Sequence, residues 1–291
     1  MQLATFQMPG GQAKPGAVRR DEVIDLSAIC DEILDLVADP ALFDDAKRAA
    51  ANNESTARLA DVRLLAPIPR PGHIYCVGWN YPKHYEEGIG KRAGQETDER
   101  KFATFFSKPN GSVIGPGDAI AWDAAVTTKL DYEGELAVVI GKGGRSISEE
   151  CAKDHVFGYT LANDITARDI QRRHGGQWQK GKGMDTYCPL GPVIVTADAL
   201  DERSLTLRSL VNGEVRQEAS TGSLFYPVER IIAQLSLGMT LEPGDVILTG
   251  TPSGVGFAHD PPLFLEPGDV TEVEIAEIGR LVNRVEKIAL T

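Results

Sequence analysis

The segment Leu130-Asp131-Tyr132-Glu133-Gly134-Glu135-Leu136-Ala137-Val138-Val139-Ile140 constrains this chain more than any other. It reads as an apolar strand that carries too many acids. Alternate residues of a strand share a face, so Asp131, Glu133 and Glu135 are predicted to point one way, roughly 6–7 Å apart. Leu130, Tyr132, Leu136, Val138 and Ile140 then point the other way. Carboxylates two residues apart on one face repel, which raises their pKa values or favours unfolding. Either this is an edge strand with one solvated face, or a divalent cation removes the conflict. Hard cations such as Mg²⁺ or Mn²⁺ prefer carboxylate oxygen.

Composition narrows the partners. With 291 residues, 42% hydrophobic and 25% charged, the chain is an ordinary globular sequence, long enough for one large domain or a large and a small one. The formal charge of -12 argues against nucleic acid, which needs a basic surface. No stretch approaches the roughly 18–20 apolar residues of a membrane helix, and MQLATFQMPGGQAKPG lacks the basic-then-apolar pattern of a secretion signal. Cys30, Cys76, Cys151 and Cys188 are scattered without a C-x-x-C, as expected for reduced thiols in a cytoplasmic protein.

Residues 1–62 read as a small module: a strand at Leu3–Phe6, a Gly/Pro turn, a strand near Val23–Leu26, then helical patterns at Ala28–Val37 and Pro40–Ala51. The proline-rich stretch 63–72 reads as a linker. This predicts a small N-terminal α+β domain over 1–69 and a larger, mainly β domain over 70–291. Val211-Asn212-Gly213-Glu214 predicts a tight hairpin, and a helix is predicted over Pro227–Leu237. Strand and helix do not alternate as in a doubly wound fold.

Four further segments carry candidate chemistry. In GYTLANDITARDIQRRHGG (158–176) an apolar strand ends at Asp164 and a helical pattern follows. Asp164 is either an N-cap or a third carboxylate for a metal. Arg168 and Gln171 would share one helical face, turned to substrate or to solvent. In GWNYPKHYEEGIGKR (78–92), His84 and Glu87 stand three apart on a helical turn. They form either a surface ion pair or a base oriented by a carboxylate. The polar stretch 91–100 beside them reads as a mobile loop and a candidate lid. In WQKGKGMDTYCPLGP (178–192), Lys180 and Lys182 lie among glycines, where a lysine either neutralises an oxyanion or solubilises a loop. GDVILTGTPSGVG (244–256) is a strand entering a glycine loop able to offer N–H groups to an anion. It is not a phosphate-binding P-loop, having no Gly-Lys-Ser/Thr.

The order of these signals is more specific than any one of them. E-x-E on a strand, then N-D-x-T-A-R-D-x-Q, a glycine-flanked lysine six residues before C-P, and L-T-G-T-P-x-G-V-G, with G-x-N-Y and a histidine upstream, resemble the fumarylacetoacetate hydrolase superfamily over about residues 70–290. The resemblance implies a mixed α+β, mainly β fold with a mixed β-strand roll, and a homodimer. It implies Mg²⁺ or Mn²⁺ held by Glu133, Glu135 and Asp164, with Asp131 behind them. It further implies a His84–Glu87 dyad, an oxyanion lysine at Lys182, and substrate contacts at Arg168, Gln171 and Thr251. The substrate expected is a small 2-oxo acid. Hydrolysis of the carbon–carbon bond of an acylpyruvate ranks first, releasing a pyruvate enolate. Oxaloacetate decarboxylation, isomerisation of an unsaturated 2-oxo dioate, and hydratase or lyase action on deoxy sugar acids run on the same parts. A cation-stabilised binding module would need neither the dyad nor the lysine.

Overall fold

The computed structural model describes residues 1–52, 54–90 and 101–290; the candidate lid at 91–100 lies outside the described residues. The molecule is mainly β with few helices. A large sheet runs, strand by strand, through Ala57–Arg58, Glu22–Asp25, Ala13–Arg19, Gln2–Gln7, Cys188–Thr196, Val156–Asn163, Gly134–Ile140, Val246–Leu248, Ile74–Gly78 and Thr104–Lys108. A five-stranded sheet packs against it, in the order Glu214–Ser220, Thr206–Val211, Val270–Ile275, Gly279–Lys287, Ala119–Trp122.

Gly134–Ile140 lies in the interior of the large sheet, antiparallel to Val156–Asn163 on one side and to Val246–Leu248 on the other. Both its faces are covered, so it reads as a continuous apolar run. Leu136, Val138 and Ile140 face a core shared with Leu207, Val273 and the helix Val228–Ser236. Ala137 and Val139 face a second core containing Ile24, Leu36 and Ile74. Each fully buried Leu, Ile or Val contributes about 1.5–3 kcal/mol. The strand is therefore fixed in register, and what lies at its N-terminal end is held as firmly.

Three expectations are corrected. The acidic segment is not one regular strand: it breaks at Tyr132–Glu133, between Leu130–Asp131 and Gly134–Ile140. The break arises because the Glu133 N–H donates to the Asn163 side chain (3.0 Å) and the Glu133 carbonyl accepts from Asp164 N–H (2.8 Å). No α-helix follows Asp164. Thr166–Ala167 pairs with Leu130–Asp131, and residues 168–176 run as turns, with Gly175 and Gly176 both at positive φ. The Gly/Pro stretch after the first strand is a turn only at residues 9–11, and beyond it Ala13–Arg19 is a strand paired on both edges. Gly16 is needed there because a Cβ would stand 2.8 Å from the Phe6 ring.

The Ala28–Val37 pattern yields only Ile33–Ala38, because an Asp25–Ser27 side-chain turn and the Glu32/Asp35 capping box start the helix late. Gln2–Gln7 joins the large sheet through Cys188–Thr196, and Arg63–Leu65, within the proline-rich stretch, pairs with Gln2–Gln7. The hairpin at Asn212-Gly213 forms as predicted, with φ of 53° and 79°. Among the described residues, no helix is long and apolar enough to cross a membrane.

Candidate active site

Glu133 and Glu135, at the N-terminal end of the central strand, meet Asp164, which follows the adjacent strand Val156–Asn163. Oxygens of all three lie within 4.8 Å of one another, and all three residues are buried. Three such carboxylates repel by about 3 kcal/mol per pair at an effective dielectric of about 20.

The surrounding cations offset that repulsion unevenly. Lys182 Nζ is 2.8 Å from Glu133 Oε2, 2.6 Å from Asp164 Oδ2 and 2.9 Å from Thr166 Oγ1. Arg168 pairs with Glu133 Oε1 at 2.6 Å and with Asp131 Oδ2 at 2.7 Å. Lys108 reaches Asp164 Oδ1 at 2.5 Å and also donates to the Lys182 carbonyl. Burial acts to raise the Glu133 carboxyl, but Lys182, Arg168 and His84 outweigh it and hold it below its ordinary value. Among the described residues, Glu135 has one hydrogen-bond donor, the Gly250 N–H at 2.5 Å. Burial, with Asp164 and Glu133 adding to it, pushes the Glu135 carboxyl well above its usual range.

Three buried carboxylates this close together form a group that could hold a cation. An all-oxygen donor set suits a hard divalent ion, so the residues fit Mg²⁺ or Mn²⁺. Burial acts to lower the Lys182 ammonium, yet Asp164 and Glu133 raise it above the ordinary lysine value, so it stays charged.

The opening conflict resolves differently for Asp131. It lies outside the three-carboxylate group and is satisfied by Arg168 and by the N–H groups of Gly256 (2.7 Å) and Phe257 (3.0 Å). Arg168 also stacks over Phe257, with Cζ 4.5 Å from the ring centroid.

Opposite the acids, Pro82–Glu87 forms a short helix with Pro at its first position. His84 Nδ1 is 2.7 Å from Glu87 Oε1; the His84 side chain is 4% exposed, so this is no surface ion pair. Its ring stacks on Trp79 at 4.6 Å. The Glu133, Glu135, Arg168, Gln171, Lys182 and Thr251 side chains line one cleft with His84, whose apolar wall is Val77, Gly78, Trp79, Phe106 and Trp178. Gly78 has no room for a side chain, since a Cβ would meet the Trp178 ring at 2.5 Å. Gln171 Oε1 accepts from Arg168 at 3.3 Å. Thr251 donates to the Gly134 carbonyl and accepts from Gln217, which tethers the glycine loop to the central strand. Lys180, in contrast, is exposed on the short helix Gln179–Lys182, which turns only Lys182 inward.

Sequence reasoning passed over Lys108 and Gln217, and it quoted Asn80 and Asn163 only as motif letters, with no role. Lys108 closes the strand Thr104–Lys108 directly before a proline, and a lysine ending a half-buried strand was the one signal available. Asn80 is fully buried and bonds Tyr226 N–H, Tyr226 C=O and Thr249 C=O, all within 3.0 Å.

The C-terminal domain model of fumarylacetoacetate (FAA) hydrolase matches residues 73–286. The chain is 48% identical over 229 residues to oxaloacetate tautomerase YisK of Bacillus subtilis (strain 168), covering 78% of this chain and 74% of that one. It is 43% identical over 242 residues to the mitochondrial oxaloacetate tautomerase FAHD2A of Homo sapiens, covering 82% and 74%. Among solved structures, maleylpyruvate hydrolase from Sphingobium sp. SYK-6, in complex with manganese(II) and pyruvate, superposes with a TM-score of 0.81 at 32% identity, covering 99% of this chain and 100% of that one. A fumarylacetoacetate hydrolase from Exiguobacterium antarcticum gives 0.84 at 39% identity over 99% and 100%. Fold, site and relatives agree: this chain is an enzyme of the fumarylacetoacetate hydrolase family.

Proposed function

We propose that the protein interconverts the enol and keto forms of oxaloacetate, or of a close 2-oxo acid. What carries the reading is a charged lysine and a buried histidine on one cleft. Enolisation needs a donor at the 2-oxygen and a base at the neighbouring carbon, and Lys182 and His84 supply one each. The identities of 48% and 43% to tautomerases of oxaloacetate support the choice of substrate.

A divalent cation held by Glu133, Glu135 and Asp164 would supply Lewis-acid polarisation of the 2-oxo group. The chain's own residues do the rest. Arg168, Gln171 and Thr251 orient the substrate. Lys182, kept charged by Asp164 and Glu133, hydrogen-bonds the 2-oxygen as negative charge grows there. Glu87 holds His84 Nδ1, leaving Nε2 to carry the proton to or from carbon 3. The aromatic wall of Trp79, Phe106 and Trp178 excludes bulk water.

A second reading is carbon–carbon hydrolysis of an acylpyruvate. It is favoured by the buried dyad, which suits activation of water, and by the likeness to a maleylpyruvate hydrolase. Here His84 would deprotonate water and Lys182 would steady the tetrahedral oxyanion. A homodimer in the cytoplasm remains the expectation that goes with either reading.

The test follows the ultraviolet absorbance of enol-oxaloacetate with Mn²⁺ or Mg²⁺, alongside pyruvate release from a panel of 2,4-dioxo acids. The expected result is chelator-sensitive acceleration of ketonisation far above buffer, with slower dioxo-acid cleavage. No acceleration with either metal contradicts the tautomerase reading, and fast pyruvate release in its place establishes the hydrolytic one.

A further inference from the structure

We infer that Tyr132 is a positioning residue for the His84–Glu87 pair, acting through the backbone of Gly254, whose carbonyl and N–H lie on successive peptide planes joined at its Cα. This role presupposes that the pair is the site's base, whichever 2-oxo acid is turned over. The Tyr132 hydroxyl donates to the Gly254 carbonyl at 2.9 Å. The Gly254 N–H donates to Glu87 Oε2 at 2.9 Å, and Glu87 Oε1 is 2.7 Å from His84 Nδ1. Each link is of ordinary hydrogen-bond length.

The helix Pro82–Glu87 has only six residues, too few to hold a side chain rigidly by itself. Glu87 is at its last position, so the direction of its carboxylate is set from outside, by Gly254. Gly254 in turn stands where only glycine fits. Its φ is +104°, and a Cβ there would stand 2.0 Å from the Arg216 carbonyl oxygen. The peptide plane that follows Gly254 is held by the donors to its carbonyl, and a rotation of that plane shifts the Cα that also carries the N–H bonded to Glu87. Tyr132 is the nearer donor; His259 Nε2 lies farther off, at 3.3 Å.

Tyr132 is 3% exposed and sits between Asp131, which binds the N–H groups of Gly256 and Phe257, and Glu133. Two neighbouring residues of the acidic segment thus clamp the loop 254–257. The element that carries the cation carboxylates thereby sets where the base stands. A change in either would be felt by the other, which keeps proton acceptor and carboxylates in one frame.

The experiment is a double-mutant cycle of Tyr132→Phe and Glu87→Ala, with kcat, KM, Mn²⁺ affinity and melting temperature measured for each protein. Phenylalanine keeps the ring and its packing and removes one oxygen. The expected result for Tyr132→Phe is a kcat lower by about tenfold, with KM, Mn²⁺ affinity and melting temperature close to wild type. In the Glu87→Ala background the same substitution should change kcat by less than about twofold, since the link it serves is gone. An undiminished kcat in Tyr132→Phe overturns the role, as does a loss of equal size in both backgrounds or a loss that follows Mn²⁺ affinity. If Glu87→Ala alone retains full kcat, the base reading itself fails and this role falls with it; an impaired Glu87→Ala beside an unaffected Tyr132→Phe removes only the role of Tyr132.

Discussion

Glu135 and Glu133 stand two residues apart, and their surroundings drive them in opposite directions. Glu133 has two cations in contact, whereas Glu135 has one backbone N–H and two carboxylate neighbours. A carboxyl raised in the folded state binds more protons there than in the unfolded chain. Its penalty is therefore absent below the unfolded value near 4.5 and grows as pH rises toward the folded value. In chelator, the protein should lose stability as pH climbs from about 4.5 toward the raised folded value, by up to about 1.4 kcal/mol per pH unit, the slope for one proton. Saturating Mn²⁺ or the Glu135→Gln change should flatten that slope, and chemical denaturation across pH checks both. Glu133, lowered in the fold, has the opposite sign: its contribution is present at neutral pH and is lost only as pH falls below the ordinary carboxylate range. Arg168 joins two buried carboxylates. Arg168→Ala should destabilise the protein by about 3–5 kcal/mol, as expected when a buried charge loses its partner. A denaturation midpoint within experimental error of wild type would show that Asp131 and Glu133 are satisfied without it.

The elements explain why some of this was legible and some was not. Glu133 and Glu135 announce themselves because their conflict is local, two residues apart on a strand. The hairpin at Asn212-Gly213 and the Pro227 helix start are legible for the same reason: turn and cap chemistry is written in adjacent residues. Lys108 was not legible because its carboxylate partner, Asp164, is 56 positions away. Asn163 acts on Glu133 from 30 positions away and Gln217 on Gly134 from 83, and no periodicity encodes such contacts. The helix expected after Asp164 failed for a related reason. A capping aspartate and an ion-paired one look alike in sequence, and here Lys108 and Lys182 claim both oxygens. Asn80 stands in the G-x-N-Y motif, yet its partners, 146 and 169 positions away, were equally illegible. It ties the start of the His84 helix to Tyr226 and Thr249. Asn80→Ala leaves those buried groups unpaired and should cost about 3 kcal/mol, read from the denaturant midpoint. It should also lower kcat by displacing His84, and a stable, fully active Asn80→Ala protein would contradict this.

At the scale of the whole molecule, two cores on opposite faces of one central strand hold its acidic end rigid, and the five-stranded sheet backs the larger of them. A site pre-built in this way should bind its cation without refolding. A ligand that binds only the folded state at about 100 times its Kd adds about 2.7 kcal/mol. Mn²⁺ should therefore raise the melting temperature by several degrees, and Asp164→Asn or Glu133→Gln should abolish the rise.

The most direct measurement is anomalous diffraction at the manganese edge from crystals soaked in Mn²⁺ and oxalate, a non-reacting stand-in for the 2-oxo acid head. One strong peak is predicted about 2 Å from oxygens of Glu133, Glu135 and Asp164 together, with oxalate on the cleft side. A cluster without a peak, its carboxylates still paired to Lys182 and Lys108 while manganese sits elsewhere or nowhere, would contradict the account.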